Sequence, residues 1–329
     1  MVHRSDNTQI VFGRFEVKVR CDDRRVIEAV ESSLDRRRMG ASEGRSCNEP
    51  AISLRLELST APANMRFTFP PRDAAASSFE DVELYGTDGV RILTVARKSM
   101  VRIDRSTGVA RGFVAPKHLE SPWIIAHRIV YLAVVELLRC RGAHYLHAGC
   151  VCGGDAGILV CGPSGSGKST LTYALARAGF GFVSDDGVFL ERDAGGLSAT
   201  AFPEKIKLDH RSCNLFDELR SRGSFQNKVE LSTTETGLLR VAPRARPSAV
   251  LFPVRSSAAV SATAPLGMHD AFARLLGQVI PSLAPCDVSE HLEIIGRLVE
   301  ACPCYELRAA RDFDAIPELV ARAVGVRAQ

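Results

Sequence analysis

Residues 157–170 read GILVCGPSGSGKST, and this stretch decides the fold prediction. From Gly162 to Ser169 it matches the pattern G-x-x-x-x-G-K-[ST] in full. An apolar run at 158–160 precedes the pattern, and a helix-forming run follows it. Because a phosphate-binding loop joins a strand to the N-terminus of a helix, both flanks agree with the motif.

The residue types in this loop suit an anion. Glycines let the backbone curl so that successive N–H groups point at one phosphate, and the following helix adds the positive end of its dipole. We expect the Lys168 ammonium to reach the β- and γ-phosphates and the Ser169 hydroxyl to coordinate Mg²⁺. The alternative, a glycine-rich turn with an incidental lysine, leaves both flanks unexplained. The predicted nucleotide-binding residues are Gly162, Pro163, Ser164, Gly165, Ser166, Gly167, Lys168, Ser169 and Thr170.

Two adjacent carboxylates, Asp185 and Asp186, end a second apolar run at 180–184. An acid at a strand end beside a phosphate-binding loop commonly holds magnesium. One carboxylate suffices for the metal, so the other is available to accept a proton from an attacking hydroxyl. The alternative is a solvated Asp-Asp-Gly turn after the strand.

Two further residues are candidates for the same site. His147 lies on the strand predicted before the loop strand, and it would approach the phosphates or the acidic pair if those strands pair. Arg246 precedes a predicted strand at 248–254. A hydrogen-bonded core histidine and a solvated loop arginine are the alternative interpretations.

Composition excludes several classes of protein. The 329 residues are 46% hydrophobic and 24% charged, which excludes wholesale disorder. The net charge is only +4 with no dense basic run, so dedicated nucleic-acid binding is not expected. The longest apolar stretch, 123–138, contains His127, Arg128 and Glu136 and is too charged to span a membrane. With no signal pattern at the N-terminus, the sequence predicts a cytoplasmic protein without membrane attachment.

Two domains are predicted, with a boundary near residue 115. Residues 1–115 form a strand-rich α+β domain, and residues 116–329 form the phosphate-binding domain with a helical C-terminal part. The predicted helices are 24–36, 121–140, 169–178, 268–279 and 287–301, the last with a capping box at Asp287. Strands at 145–152 and 157–161 predict a hairpin that leads into the loop.

The sequence resembles the C-terminal kinase domain of HPr kinase/phosphorylase. The matching segments occur in one order: LHAG at 146–149, the loop itself, and VSDD at 183–186. RPSAV at 246–250 resembles the family's arginine-containing entry to a late strand. The resemblance covers about residues 140–260, and Glu204 is a loose candidate for the glutamate that also helps to bind metal in that family.

This resemblance implies an α/β (α+β) fold with a P-loop kinase core of mixed strand direction, related to phosphoenolpyruvate carboxykinase. It implies ATP and Mg²⁺ as cofactors, with Lys168 on the phosphates and Ser169 and Asp185 at the metal. Asp186 would be the base that takes the proton from a serine-type hydroxyl, and His147 and Arg246 would be catalytic helpers. The implied activity is phosphorylation of a peptide or protein serine, as in HPr kinase-related proteins encoded with peptide-modification pathways such as those of lasso peptides.

Other P-loop functions stay open. A small-molecule kinase would share the same motifs. A transport ATPase also needs a Leu-Ser-Gly-Gly-Gln signature, which the sequence lacks. A nucleotide-dependent switch is favoured only by NKVE at 227–230, which superficially resembles a GTPase base-reading motif. The identity of the phosphoryl acceptor stays open, and so does the oligomeric state, for which a homo-oligomer is one possibility. Strands of the N-terminal half could dock a peptide by strand addition.

Overall fold

The computed structural model describes residues 6–34, 52–62, 68–75, 77–86, 89–220, 228–233, 239–279, 285–310 and 312–328. Within these residues helices alternate with strands, and most strands belong to an eight-stranded and a nine-stranded sheet. Both sheets contain parallel and antiparallel pairs. The predicted α/β class and strand-rich N-terminal part are therefore confirmed. No helix in this described part of the chain is long and apolar enough to cross a membrane.

The α-helices are α1 (Arg24–Ser33), α2 (Tyr131–Arg139), α3 (Lys168–Arg177), α4 (His210–Cys213), α5 (Met268–Leu276), α6 (Pro285–Ala301) and α7 (Ile316–Val324). A π-helical segment, Ile124–Val130, runs directly into α2, so the predicted helix at 121–140 is present but not uniformly α-helical. Short 3₁₀ helices lie at Arg72–Ala74, Pro116–Glu120 and Asp217–Leu219.

The first eight strands are β1 (Asp6–Phe12), β2 (Phe15–Cys21), β3 (Ile52–Thr60), β4 (Ser77–Phe79), β5 (Val82–Gly86), β6 (Val90–Val95), β7 (Ser99–Asp104) and β8 (Val109–Val114). The others are β9 (His144–Leu146), β10 (Ala148–Gly153), β11 (Ala156–Cys161), β12 (Gly181–Ser184), β13 (Val188–Asp193), β14 (Gly196–Thr200), β15 (Ile206–Asp209), β16 (Lys228–Leu231), β17 (Arg244–Arg255), β18 (Ala262–Leu266) and β19 (Cys304–Ala309).

Contacts divide the chain into two compact units. Among the described residues, the first contains those up to Leu34, those between Ile52 and His144 and those between Pro285 and Leu292, and the second contains those between Tyr145 and Val279 and between Glu293 and Ala328. The division therefore falls after His144, because α2 packs on strands of the first unit. The domain boundary near residue 115 stays a prediction from composition.

The first unit is built on the sheet β1-β2-β3-β8-β7-β6-β5-β4. In β2, Phe15, Val17, Val19 and Cys21 are buried, whereas the residues between them are not, as a strand with one covered face requires. Helix α1 packs on β1 and β2, and the Asp23 carboxylate caps it by accepting from the Arg25 backbone N–H.

Asp287 differs from its predicted role. It is the third residue of α6 and not its N-cap. Its buried carboxylate accepts hydrogen bonds from Arg91, at 3.0 Å, and from Arg105. The capping-box prediction was wrong because these arginines, distant in sequence, bind the carboxylate that a local pattern assigned to the helix end.

The second unit contains the nine-stranded sheet. Strand β10 is antiparallel to both β11 and β12, and β11 is parallel to β17. The carboxyl ends of β11, β12 and β17 therefore lie at one edge of the sheet, together with the start of β10. We call this the loop edge. The antiparallel β10–β11 pair confirms the predicted hairpin in front of the loop.

Apolar side chains cover both faces of this sheet. Val151, Ile158 and Val160 share one core with residues of α3 and α7. Cys150, Leu159 and Cys161 share another with residues of α5 and the second half of α6. Because alternate residues of each strand enter opposite cores, the strands are held firmly, and so are the loops that leave them at the loop edge.

Candidate phosphate-binding and catalytic site

The predicted strand, loop and helix are all present. β11 ends at Cys161 and α3 begins at Lys168. Gly165 and Gly167 between them have φ angles of +79° and +102°, in the region that a side chain makes costly. These turns bring the backbone round to the N-terminus of α3, where unpaired N–H groups and the helix dipole favour an anion.

Two side chains of the loop carry donors that suit a phosphate. The Lys168 Nζ donates to the backbone oxygen of Gly162 at 2.6 Å and to that of Pro163 at 3.2 Å, so the ammonium lies over the loop. The Ser166 hydroxyl is buried and has no hydrogen-bond partner among the described residues. A buried unpaired hydroxyl costs about 1–3 kcal/mol, which a bound oxyanion would recover.

The end of β12 lies against the first turn of α3. The Ser169 Oγ donates to the Asp185 backbone oxygen at 3.4 Å. Asp185 is buried, and its Oδ2 accepts from the Lys207 backbone N–H at 2.9 Å. The predicted partners Ser169 and Asp185 are therefore adjacent.

The turn that contains Asp185 and Asp186, which we call the acidic turn, is shaped by the Ser184 hydroxyl and by Gly187. The Ser184 Oγ accepts from the backbone N–H groups of Asp186, at 3.4 Å, and Gly187, at 3.2 Å. A Cβ at Gly187 would overlap the ring of Tyr145. The turn thus requires glycine after the acidic pair, and it leaves the Asp186 side chain 45% exposed beside buried Asp185.

His147 joins Asp186 at the loop edge. Its Nδ1 lies 3.4 Å from Asp186 Oδ1, and its backbone N–H donates to the Gln278 oxygen at 2.8 Å. The single strand predicted at 145–152 is interrupted at His147, because β9 lies beside β13 whereas β10 pairs with β11 and β12. The interruption places His147 at the start of β10, next to the carboxyl end of β12.

Lys207, which belongs to no sequence motif, adds a positive charge near the acidic residues. The Lys207 Nζ lies 3.1 Å from Glu204 Oε1, and both side chains are largely buried. Burial lowers the pKa of Lys207, but the carboxylates of Glu204, Asp186 and Asp185 outweigh burial and hold that pKa above its ordinary value. The sequence indicated this segment only through the loose candidate Glu204.

Thr170 has a structural contact. Its Oγ1 lies 2.6 Å from Ser212 Oγ, so its hydroxyl ties α3 to α4. The Asp209 carboxylate caps α4 by accepting from the Ser212 N–H at 2.7 Å. Burial raises the pKa of Asp209, but its hydrogen bonds to Ser212 and the nearby charges of Arg255 and Arg211 lower it overall. The Thr170 side chain is thus committed to Ser212, which leaves its backbone N–H as its candidate phosphate donor.

Arg246 is not brought to the loop edge. It pairs with Ala156, so it lies where β11 and β17 begin. Six residues of extended strand, about 20 Å, separate that level from Gly162. The Arg246 Nη1 donates instead to Asp193 Oδ1 at 2.9 Å. The parallel pairing of β11 with β17 therefore places Arg246 at the opposite end of these strands from the loop.

Ser169 and Asp185 carry oxygen atoms of the kind that a magnesium ion prefers. Mg²⁺ prefers oxygen ligands and is usually bound through one or two carboxylates, water and substrate phosphates. Within the described ranges, no three His, Cys, Asp or Glu side chains form a cluster that could hold a metal. An ion at Ser169 and Asp185 would therefore depend on nucleotide phosphates for its other ligands.

Comparisons with known proteins add a structural likeness. No protein-family model matches the sequence, and no curated protein matches it. Among solved structures, the HPr(Ser) kinase/phosphatase from Coxiella burnetii is similar over 54% of this chain and 95% of that chain, with 13% identity and a TM-score of 0.32. A likeness at this level does not establish a shared fold.

Proposed function

We propose that this protein is an ATP-dependent kinase that transfers the γ-phosphoryl group to the hydroxyl of a serine in a peptide or protein. The observation that supports it is the convergence at the loop edge of a glycine-lined anion site, the Ser169–Asp185 contact and the Asp186–His147 pair. An anion site alone would serve any P-loop protein. An exposed carboxylate beside it suits transfer to a hydroxyl.

Binding of the nucleotide would use the loop. The N–H groups of the loop and of the first turn of α3 would surround the phosphates, with the Lys168 ammonium and the Ser166 hydroxyl as side-chain donors. Ser169 and Asp185 would hold Mg²⁺, which when bound neutralises charge on the phosphate oxygens. These donors are fixed before the nucleotide arrives, which is the condition for electrostatic stabilisation of the transferred group.

Transfer would use Asp186. The acceptor oxygen forms a bond to the γ-phosphorus, the bond from that phosphorus to the bridging oxygen of ADP breaks, and the hydroxyl proton passes to the Asp186 carboxylate. His147, 3.4 Å from that carboxylate, would hold it in position. The exposure of Asp186 allows an acceptor hydroxyl to approach it from solvent.

The choice of serine rests on the sequence. The segments LHAG and VSDD flank the loop in the order found in HPr kinase/phosphorylase, whose target is a serine-type hydroxyl. A peptide or protein acceptor is part of the same proposal.

Labelled phosphate transfer tests the proposal. The protein is incubated with γ-labelled ATP, Mg²⁺ and three peptide pools whose central residue is Ser, Thr or Ala, and label on peptide is measured. We expect label on the Ser pool, none on the Ala pool, and none with Lys168→Ala, whereas Lys117→Ala, at an exposed lysine of the first unit, behaves as wild type. Release of free phosphate at the same rate with or without peptide would identify an ATPase instead. Tight ATP binding without turnover on any acceptor would identify a switch.

A further inference from the structure

The loop edge extends to both sides of β11, the strand that leads into the loop. In the sheet order β12-β10-β11-β17, the acidic turn and His147 lie on the β12 and β10 side of this strand. The carboxyl end of β17 lies on the other side. The γ-phosphate and the nucleoside are at opposite ends of a nucleotide. A γ-phosphate that faces Asp186 therefore directs the nucleoside away from the acidic turn and toward β17.

Arg255 is the last residue of β17 and lies at the loop edge. Val160 pairs with Leu251, and a Cβ at Gly162 would lie 4.0 Å from Pro253 Cδ. Arg255 follows Pro253 by two residues, which adds about 7 Å along an extended strand. Strand β17 therefore carries Arg255 past the level at which the loop begins, and the residue is exposed there.

Arg255 lies on the face of the sheet that α3 covers. Leu251 shares a core with α3, whereas Phe252 belongs to the core on the opposite face. Pairing with β19 continues through Arg255, so alternation gives it the face of Leu251. The charges agree with this placement: burial raises the pKa of Asp209, but hydrogen bonds to Ser212 and the charge of Arg255 lower it overall. Arg255 is thus near the segment that contacts the first turn of α3.

The Arg255 guanidinium is available to a ligand. It forms no hydrogen bond and no close ion pair with another residue of the described ranges, whereas Arg246, at the other end of the same strand, binds Asp193. Val254 and Val260, in and just after the end of β17, are 41% and 68% exposed, so apolar surface is also accessible there. A guanidinium is a planar cation that stacks on aromatic rings, and a nucleobase is such a ring.

We propose that the end of β17 binds the nucleoside of the bound nucleotide, with the base stacked on the Arg255 guanidinium. This inference rests on the proposed function, because transfer at Asp186 sets the direction of the phosphates. The nucleotide then lies across the loop edge, with its γ-phosphate on the acidic side, its other phosphates over the loop and its base on the β17 side. Arg255 is a binding residue here and takes no part in proton transfer.

Two ligands that differ in the nucleoside test the inference without a measurement of turnover. A non-hydrolysable ATP analogue is titrated with Mg²⁺ into the protein by isothermal calorimetry, and inorganic tripolyphosphate is titrated as its competitor. We expect Arg255→Gln to weaken binding of the analogue by about 5- to 30-fold and that of tripolyphosphate by less than about twofold. Arg255→Lys keeps the charge but not the planar group, so it should also weaken the analogue.

Arg322→Gln is the matched control, because the Arg322 side chain is 72% exposed on α7 of the same unit. It should bind both ligands as wild type does. Thermal unfolding of Arg255→Gln at the wild-type temperature would confirm that a change in affinity does not come from the fold.

Two results would overturn this inference and leave the proposed function to the labelled-transfer experiment. Equal weakening of both ligands in Arg255→Gln would mean that the guanidinium binds phosphate and not the base. Unchanged binding of the analogue would mean that the nucleoside lies elsewhere. Failure of wild type to bind the analogue would overturn both the inference and the proposed function.

Discussion

His147 Nδ1 lies 3.4 Å from Asp186 Oδ1 at the edge of the sheet where the glycine-rich loop begins. Each partner is held by a separate backbone contact: His147 by Gln278 and Asp186 by Ser184. The pair is therefore placed by the fold and does not depend on its own weak, partly exposed contact.

Replacing Asp186 by Asn tests its role as the base. The amide keeps the size of the side chain but cannot take the proton, so we expect peptide phosphorylation to fall by about 10²-fold or more while ATP affinity stays nearly unchanged. Steady-state transfer rates and equilibrium nucleotide titration measure the two effects. The control is Asp314→Asn, since the Asp314 side chain is 98% exposed on the second unit. Transfer at the wild-type rate in Asp186→Asn would show that another group accepts the proton.

Replacing Gly187 by Ala tests the acidic turn. The added methyl group would overlap the Tyr145 ring, and we expect the free energy of unfolding to fall by about 1–3 kcal/mol together with transfer activity. Gly296→Ala is the matched control, because a Cβ there meets nothing within 4 Å and a helical alanine is more stable than glycine by about 0.5–1 kcal/mol. Denaturant unfolding measures both. Equal stability of Gly187→Ala and wild type would mean that the turn does not need glycine.

Replacing Arg246 by Ala tests whether this residue has the catalytic role that the sequence resemblance implies. The residue lies at the opposite end of β11 from the loop and binds Asp193, so we expect kcat/KM for peptide phosphorylation to stay within about twofold. The lost ion pair is partly exposed, and its loss should lower the free energy of unfolding by at most about 1 kcal/mol. A loss of activity near that of Asp186→Asn would return Arg246 to the catalytic residues.

A buried histidine in the first unit predicts how stability depends on pH. Burial, aided by the charges of His144 and Arg139, lowers the pKa of His291 from 6.5 to about 3. The unfolded chain therefore binds a proton between about pH 6.5 and pH 3 that the folded chain does not bind, so acidification through this window destabilises the fold. The contribution reaches about 1.4 kcal/mol per pH unit.

Thermal unfolding between pH 4.5 and pH 7.5 measures this effect. We expect His291→Gln, which cannot titrate, to lose less stability on acidification than wild type, whatever its stability at pH 7.5. His269→Gln, at an exposed histidine, should follow the wild-type slope. Equal slopes for His291→Gln and wild type would show that His291 does not contribute.

Local features of the site could be predicted from the sequence. The loop and its flanking strand and helix depend on closely spaced glycines, an apolar run and a lysine. The structure has the strand, the loop and the helix where they were predicted. The hairpin before the loop was also predictable, because a short polar turn joins two apolar runs too closely for a crossover helix. The approach of His147 to the acidic pair followed from that hairpin as a conditional expectation.

What the sequence by itself determined, then, is the glycine-rich loop and the acids that follow it, since glycine conformations and strand patterns act over neighbouring residues. Only the tertiary structure decided which distant side chains join them. The parallel pairing of β11 with β17 put Arg246 at the far end of the strand, and β15 brought the Lys207 backbone N–H to Asp185 and its ammonium to Glu204. The physical reason is that strand pairing and the burial of charge depend on contacts between segments far apart in the chain. Such contacts produce no local sequence pattern from which they could be predicted.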